Sequence, residues 1–582
     1  MGESGRVTDA PALLLGPALR HVDDRTATVW VEASRAGTVG VDAGGAHAEA
    51  ATFCVEGHHY ALVVLHGLEP DREQPYAVTL DGERAWPLPG DDRRPPTIRT
   101  LGESGEPGTH DLDVAFGSCR ADRPQEEPWT LEPEEHPDGV GPDALVALSR
   151  DCQAGRRRVP DLLLLLGDQV YADEGLSPRV RERQVRRRGA HSDPRQEVAD
   201  FEEYTWLYRD SWGDPDVRWL LATVPSAMVF DDHDVRDDWN TSDVWRDEVQ
   251  RLPWWEERIT GAYMSYWVYQ HLGNLSPAAI EEEGLLRRIC EAGAQSGDGG
   301  AVLREFARTA DEEVDGEKRS RWSYRRHLGR NRLVVIDTRS GRVLEDDRRD
   351  MLSEGEWRQV EEWLTGDVEH LVVASSLPLA LEPALHDVEA WNERLCAGAW
   401  GRTAARLGER FRQAVDLEHW AAFERSFRRL TGRLGEVAEG RHGAAPATVL
   451  VLSGDVHHSY VAPITYAGGA ERAPVLQVVS SPLRNAVPRT VRRGFAAASS
   501  GPLRAVGRAL RRSVGLPPPP VSWRLTTGPL FGNGIGSLRL SGRTALVRLE
   551  RALPAGRGPG LRVVHEERLG EGTRAPSPSP VP

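Results

Sequence analysis

Lysine is almost absent: Lys318 is the only one in 582 residues, so nearly every cation is an arginine. The five cysteines, Cys54, Cys119, Cys152, Cys290 and Cys396, are odd in number and scattered, with no CxxC pair. A disulfide framework does not fit that pattern, and a reducing compartment does. No stretch approaches the ~20 apolar residues that cross a bilayer. The longest aliphatic run, Leu162–Leu166, is closed by Asp161 and Asp168, so a transmembrane segment is excluded. No signal peptide is visible. Residues 1–11 are polar, and the apolar run 13–15 lacks a basic flank, so a cytoplasmic protein is the expectation. Positive charge is in deficit too: 72 cationic against 89 acidic side chains give a net charge of −17. A general nucleic-acid binder is disfavoured, because the phosphate backbone would be repelled.

At one domain per ~150 residues the length allows two to four domains. Segments 26–32, 38–42 and 60–66 alternate as half-buried strands do, and 67–76 reads as a turn into another strand. Their order resembles a fibronectin type III-like sandwich, expected over residues 1–104. Proline and charge cluster over 87–107 as a linker. From Asp113 onward, short aliphatic runs end in polar clusters: 114–116, Leu162–Leu166, 227–230, 333–336, 371–374, 448–452 and Val475–Val479. Helical stretches such as 142–149 and 353–364 lie between them, which predicts a layered α/β domain over 105–569. Arg-rich 180–188 and Trp-rich, helically patterned 239–330 interrupt it. Near the end, 487–516 is basic, and its arginines interleave with Phe495, Leu503, Val506 and Leu510. That pattern suits either an anionic membrane surface or a solvated helix. Segments 538–548 and 561–565 read as closing strands, and 570–582 as a disordered tail.

Four clusters carry chemistry: Phe116-Gly117-Ser118-Cys119-Arg120, Gly167-Asp168-Gln169-Val170-Tyr171-Ala172-Asp173, Phe230-Asp231-Asp232-His233-Asp234, and Ser453-Gly454-Asp455-Val456-His457-His458-Ser459. Each follows an apolar strand, and in open α/β sheets ligands collect beyond strand ends. Asp168, Asp232 and Asp455 would repel one another by several kcal/mol at low dielectric unless a cation lay between them. A bound metal is the simplest resolution. Cys119 and Tyr171 add a thiolate and a phenolate, a set that favours a highly charged Lewis acid such as ferric iron. Asp231 and Asp234 read first as caps or supporting hydrogen-bond acceptors, and His458 as a neighbour of the ligands. Asp173, Asp238 and Asn240 either touch a calcium ion or only order their loop. Arg120 and Arg339 suit phosphate binding or structural pairing equally.

These strings resemble the metallophosphoesterase superfamily and, within it, the PhoD-like (alkaline phosphatase D) family. Gly167-Asp168 matches the GD motif; Asp231-Asp232-His233-Asp234 stands for GNH[DE] and Gly454-Asp455-Val456-His457 for GHxH. The Ser-Cys pair, the tyrosine three residues after Asp168, and the 336–342 and 528–533 segments are PhoD-like features. The resemblance covers roughly residues 113–550. It implies a four-layer αββα core with an N-terminal β-sandwich domain. It also implies a multinuclear centre of Fe3+ with Ca2+, other divalent ions being possible. The implied ligands are Cys119, Asp168, Tyr171, Asp232, Asp455 and His457, with Asp168 as bridging carboxylate. His233 takes the position that contacts the phosphate or leaving group, so the catalytic pair is His233 and Asp168.

The expected activity is therefore hydrolysis of a small phosphoric ester, with metal-bound hydroxide attacking phosphorus. The alternative is a non-catalytic, metal-stabilised protein whose β-sandwich binds a partner; the intact His233 beside Asp232 argues against it. A Ser-His-Asp hydrolase is disfavoured because no GxSxG elbow is present. The leaving group and the oligomeric state are open at this level.

Overall fold

The computed structural model describes residues 11–103, 111–313, 320–346, 348–469, 471–489, 492, 501–554, 556 and 560–570. The expected tail beyond Gly570, and residues 490, 491 and 493–500 of the basic segment, lie outside them. The fold is mixed α/β, with several β-sheets.

Two antiparallel sheets form the N-terminal part. One orders Leu13–Val22, Thr26–Ala33, His58–His66 and Phe53–Val55. The other orders Ala46–Ala51, Thr38–Ala43, Glu73–Leu80 and Glu83–Trp86, with Thr97–Arg99 also pairing Glu73–Leu80. Alternate side chains such as Val29, Val31, Val39, Val41, Val63 and Val78 share one apolar core, the expected result of a two-residue side-chain period. Two features depart from the sequence expectation. The run 13–15 opens a ten-residue strand, and the 87–107 linker contains a short strand.

Two larger sheets follow. The six-stranded one runs Ser226–Val229, Leu162–Leu166, Leu112–Gly117, Gly534–Ser541, Thr544–Ala552 and Leu561–Gly570. Its first three strands are parallel. All five leucines of Leu162–Leu166 are buried, as a strand covered on both faces requires. The expected single strand 538–548 is a hairpin turning at Gly542-Arg543. The second sheet begins Tyr324–Leu328, Asn331–Ile336, His370–Ser375, Thr448–Ser453 and Val475–Val479. It continues through Ser459–Tyr466 to Val521–Trp523, and Thr527–Leu530 also pairs Ser459–Tyr466. Its residues divide by parity. Leu333, Val335, Val372, Ala374, Leu450 and Leu452 belong to the cluster that contains Phe116 and Leu164 of the six-stranded sheet. Val334, Ile336, Leu371, Val373, Val449 and Val451 join Trp357, Val360, Phe427 and Leu434 of helices Glu354–Trp363 and Glu424–Glu439.

The Trp-rich segment leaves the strand-end loops and packs on the N-terminal sheet. Helix Trp255–Ser265 continues into a π-helical turn, Tyr266–His271. The carbonyls of Tyr269 and Gln270 in that turn accept from buried Arg20 at 3.0 and 2.6 Å. Tyr269 also packs on Trp30 at 5.3 Å and stacks on Tyr208 at 4.2 Å. Among the described residues no helix is long and apolar enough to cross a membrane.

Candidate metal centre

Four apolar strands end in one place. Leu112–Gly117 delivers Cys119, Leu162–Leu166 delivers Asp168, and Ser226–Val229 delivers Asp231, Asp232 and His233. From the second sheet, Thr448–Ser453 delivers Asp455 and His457. Each strand runs parallel to at least one neighbour, so these are all carboxyl ends. Immediately past them Cys119, Asp168, Asp455 and His457 take left-handed backbone conformations, with φ of 59°, 48°, 66° and 52°. Such conformations cost about 1–3 kcal/mol each and persist only where the surroundings fix them.

Cross-loop hydrogen bonds do the fixing. The Cys119 amide donates to the Gly167 carbonyl at 3.3 Å and the Arg120 amide to that of Asp168 at 3.1 Å. The Asp455 amide donates to Ser118 Oγ at 2.8 Å. The Asp234 carboxylate accepts from the amides of Asp168, Val170 and Asp231 at 3.1, 3.3 and 2.9 Å. Asp234 therefore knots two ligand loops together. Gly454 is required by close approach: a Cβ there would lie 2.1 Å from Ser118 Oγ.

The side chains form three overlapping triads, each with its ligand atoms within 4.8 Å of one another: Cys119/Asp168/His457, Asp168/Asp232/His233 and Asp231/Asp232/Asp455. Asp168 belongs to two of them and Asp232 to two, which is the connectivity that bridging carboxylates require. Tyr171 Oη lies 3.4 Å from Asp168 Oδ2 and accepts from Asn485 Nδ2 at 3.0 Å. Cys119 Sγ lies 3.1 Å from Ser118 Oγ, and Ser481 Oγ donates to it at 3.4 Å. His233 Nδ1 faces both Asp173 oxygens at 3.0 Å, and its ring sits 4.7 Å from that of Tyr171. Asp173 thus orients His233, a role beyond the calcium contact or loop ordering expected of it from sequence.

Burial pushes the Asp168 and Asp231 carboxyls well above the usual range; His233 and Arg339 respectively oppose this, while neighbouring aspartates add to it. Burial, then Asp168 and Asp455, raise the Cys119 thiol. Burial also lowers His457 to about 4. His233 goes the other way: burial opposes its charge, but Asp173, Asp232 and Asp168 outweigh burial and raise it. Asp455 is held below the usual range, despite burial, by His419 and Arg339. A multivalent cation would reverse the upward shifts, because it stabilises thiolate and carboxylate together.

The donor set fits metal ions. Asp168 Oδ1 and Asp231 Oδ2 are buried without a hydrogen-bond donor, an arrangement that costs several kcal/mol per charge unless a cation compensates it. One cation is resident in the protein itself. Fully buried Arg339 directs Nε to Asp231 and Nη2 to Asp232 at 3.1 Å and to Asp455 at 3.5 Å, and it also pairs with Glu418. Arg339 is thereby committed to carboxylates, as is Arg120, which pairs with Asp143 at 2.8 Å and donates to Ser211. Asp231, read from sequence as a cap or supporting acceptor, stands inside a triad.

Three groups escaped the sequence reading. His419 Nε2 lies 3.0 Å from Asp455 Oδ2 and its Nδ1 2.8 Å from Glu389 Oε1. Glu418 anchors Arg339 and Arg342. Glu382 pairs with His458 Nε2 at 2.7 Å. Glu418 and His419 follow a helix and not a strand end, and Glu382 caps helix Pro383–Cys396 well past the end of strand His370–Ser375. The one available signal was the ionisable pair Glu418-His419 inside the apolar string Leu417–Phe423.

Comparison with known proteins bears on the same region. Residues 151–295 match the family described as PhoD-like phosphatase, and residues 10–98 match a domain of unknown function, DUF7800. No curated protein matches the chain by sequence. Among solved structures, "Structure of PhoD" aligns at TM-score 0.57 and 12% identity, covering 96% of this chain and 90% of that one. A type III pullulan hydrolase from Thermococcus kodakarensis aligns at TM-score 0.14 and 11% identity, covering 96% and 100%, too weakly to carry an argument. The GD and DDHD loops fall inside the stretch that matches the PhoD-like phosphatase family, and the GDVH loop joins them at the same end of the sheets.

Proposed function

We propose that the protein is a metal-dependent hydrolase of phosphoric esters. The observation that carries this reading is the convergence of Cys119, Asp168, Asp232, Asp455 and His457 around buried carboxylate oxygens without donors. Cys119, Asp168, Tyr171 and His457 would hold one ion; Asp168, Asp232 and Asp455 would hold the other or others. When bound, such ions polarise the phosphoryl group and activate water. The chain's own residues do the rest. His233, oriented by Asp173, donates a proton or hydrogen bond to the ester oxygens. Arg339 holds Asp231, Asp232 and Asp455 in place from the protein side. Iron with calcium is the metal pair we favour, since thiolate and phenolate ligands suit ferric iron and all-oxygen ligands suit calcium.

The same reading takes residues 1–104 as a fibronectin type III-like domain and 105–569 as a four-layer αββα catalytic domain, a division supported by the apolar core between the two N-terminal sheets and the parity of the second sheet. Hydrolysis of p-nitrophenyl phosphate and bis-p-nitrophenyl phosphate by the purified protein tests the activity. Turnover of either ester that disappears in His233→Ala is expected; no turnover with any added metal overturns the proposal. For the iron assignment, a visible charge-transfer band lost in Tyr171→Phe is expected, and a colourless, fully active enzyme contradicts it.

A further inference from the structure

Away from the metal centre, exposed apolar side chains concentrate on two helices. Twelve large hydrophobic residues are exposed among the described ones, and six of them are Trp400, Leu407, Phe411, Val415, Leu503 and Val506. They lie on or beside helices Arg402–Ala414 and Gly501–Ser513. Both helices pack on helix Pro383–Cys396 through a glycine. A Cβ on Gly507 would lie 3.0 Å from the Ala384 carbonyl and from Asp387 Cβ, and one on Gly408 would lie 3.1 Å from Cys396 Sγ. The glycines bring the helices close and turn their remaining faces outward. The two join where Trp400 Nε1 donates to the Ser513 carbonyl at 3.4 Å, and Trp391 bridges Trp400 and Phe411 at ring distances of 5.7 and 6.4 Å.

The charge of this face opposes that of the whole chain. Helix Gly501–Ser513 carries four arginines and no acid; helix Arg402–Ala414 carries four arginines against Glu409. Arg412 and Arg511 are buried and paired to carboxylates. Arg402, Arg406, Arg410, Arg504, Arg508 and Arg512 have no carboxylate at ion-pair distance among the described residues, on a chain of net charge −17. Elsewhere on the surface arginines are commonly paired, for example Arg187, Arg304 and Arg429.

We propose that this face docks on an anionic membrane surface. Its arginines would meet the headgroups, and Trp400, Leu407, Phe411 and Leu503 would enter the interfacial layer. Charge complementarity selects this occupant. The acidic remainder of the chain is repelled by an anionic bilayer, so orientation is imposed as well as attraction. A two-fold contact with a second copy would set arginines against arginines, which disfavours that alternative. The proposal does not depend on which ester is hydrolysed.

Co-sedimentation of the full chain with vesicles tests it, comparing pure phosphatidylcholine with phosphatidylcholine containing about 30% phosphatidylglycerol. Binding to the anionic vesicles at least about tenfold tighter than to neutral ones, and weakened by salt, is expected. Arg406→Glu with Arg410→Glu, and separately Leu407→Ser with Phe411→Ser, should each weaken it about tenfold or more. These positions are exposed, and unchanged circular dichroism and metal content would show that the variants fold. Equal binding to neutral and anionic vesicles, no binding by the unaltered protein, or variants that bind as it does would overturn the proposal. So would a dimer in sedimentation velocity that the same variants dissociate.

Discussion

His419 bridges two carboxylates, with Nε2 3.0 Å from Asp455 and Nδ1 2.8 Å from Glu389. Neither His419 nor Glu389 lies in a strand-end motif, yet together they fix the orientation of a residue that does. Partners of metal ligands of this kind typically contribute 10- to 100-fold to affinity or activity, by order of magnitude. His419→Ala should therefore lower metal content and kcat/KM by about that range. His419→Gln, which keeps one hydrogen bond to Asp455, should recover part of it. Wild-type metal content and kinetics in both variants would show that the bridge does not support the centre.

Asp168 is the residue shared by the Cys119/His457 and Asp232/His233 triads. Asp168→Asn keeps the shape and removes the charge. Turnover should fall by well over a hundredfold in a protein that remains folded by circular dichroism. A loss within about tenfold, a barrier change of only ~1.4 kcal/mol, would take Asp168 out of the bridging role.

Gly454 touches Ser118, whose hydroxyl accepts from the Asp455 amide and lies beside Cys119 Sγ. Gly454→Ala has to displace that hydroxyl. A stability loss of about 1–3 kcal/mol is expected from the overpacking, with a larger proportional loss in metal retention. Urea unfolding together with metal analysis measures both. An alanine variant matching the parent in both would mean that the loops yield more easily than the contact distances imply.

His58 of the N-terminal sheet pairs with Glu202 of helix Phe201–Gly213 at 2.6 Å. Burial works against the charge on His58, but Glu202 and Glu32 outweigh it and raise the ring from 6.5 to about 9. Glu202 is drawn down to about 2, chiefly by His58. Because the histidine pKa is raised, its contribution is complete below pH 6.5 and lost as pH rises through about 9. Because the glutamate pKa is lowered, its contribution is present above pH 4.5 and lost as pH falls through about 2. His58→Gln should cost about 1.5–3 kcal/mol between these limits. The cost should fade above pH 9. Thermal unfolding of both proteins across pH checks this, and a pH-independent difference would contradict it.

The strand ends were legible because the chemistry stands next to strong local signals. Leu162–Leu166 followed by Gly-Asp, and Thr448–Ser453 followed by Gly-Asp-Val-His, announce a buried strand and its ligands in one short string. What escaped depends on long-range packing. The hairpin Gly534–Ser541/Thr544–Ala552 reads as one strand in sequence because Gly542-Arg543 is a turn too short to interrupt the pattern. The π-turn at Tyr266–His271 follows from Arg20, almost 250 residues upstream, claiming its carbonyls. His419 and Glu389 meet Asp455 only in the fold. Arg339 suited phosphate or carboxylate equally from sequence, and only its burial among Asp231, Asp232, Asp455 and Glu418 shows its partners.

The central claim is that the converging carboxylates, thiol and imidazole hold metal ions that ester hydrolysis requires. Its most direct test is one titration on one sample: metal per chain by elemental analysis, and bis-p-nitrophenyl phosphate hydrolysis, followed together through chelation and metal return. Activity that falls in proportion to metal removed, and returns with it, is the predicted result. A fully stripped protein that hydrolyses the ester at the original rate would contradict the account.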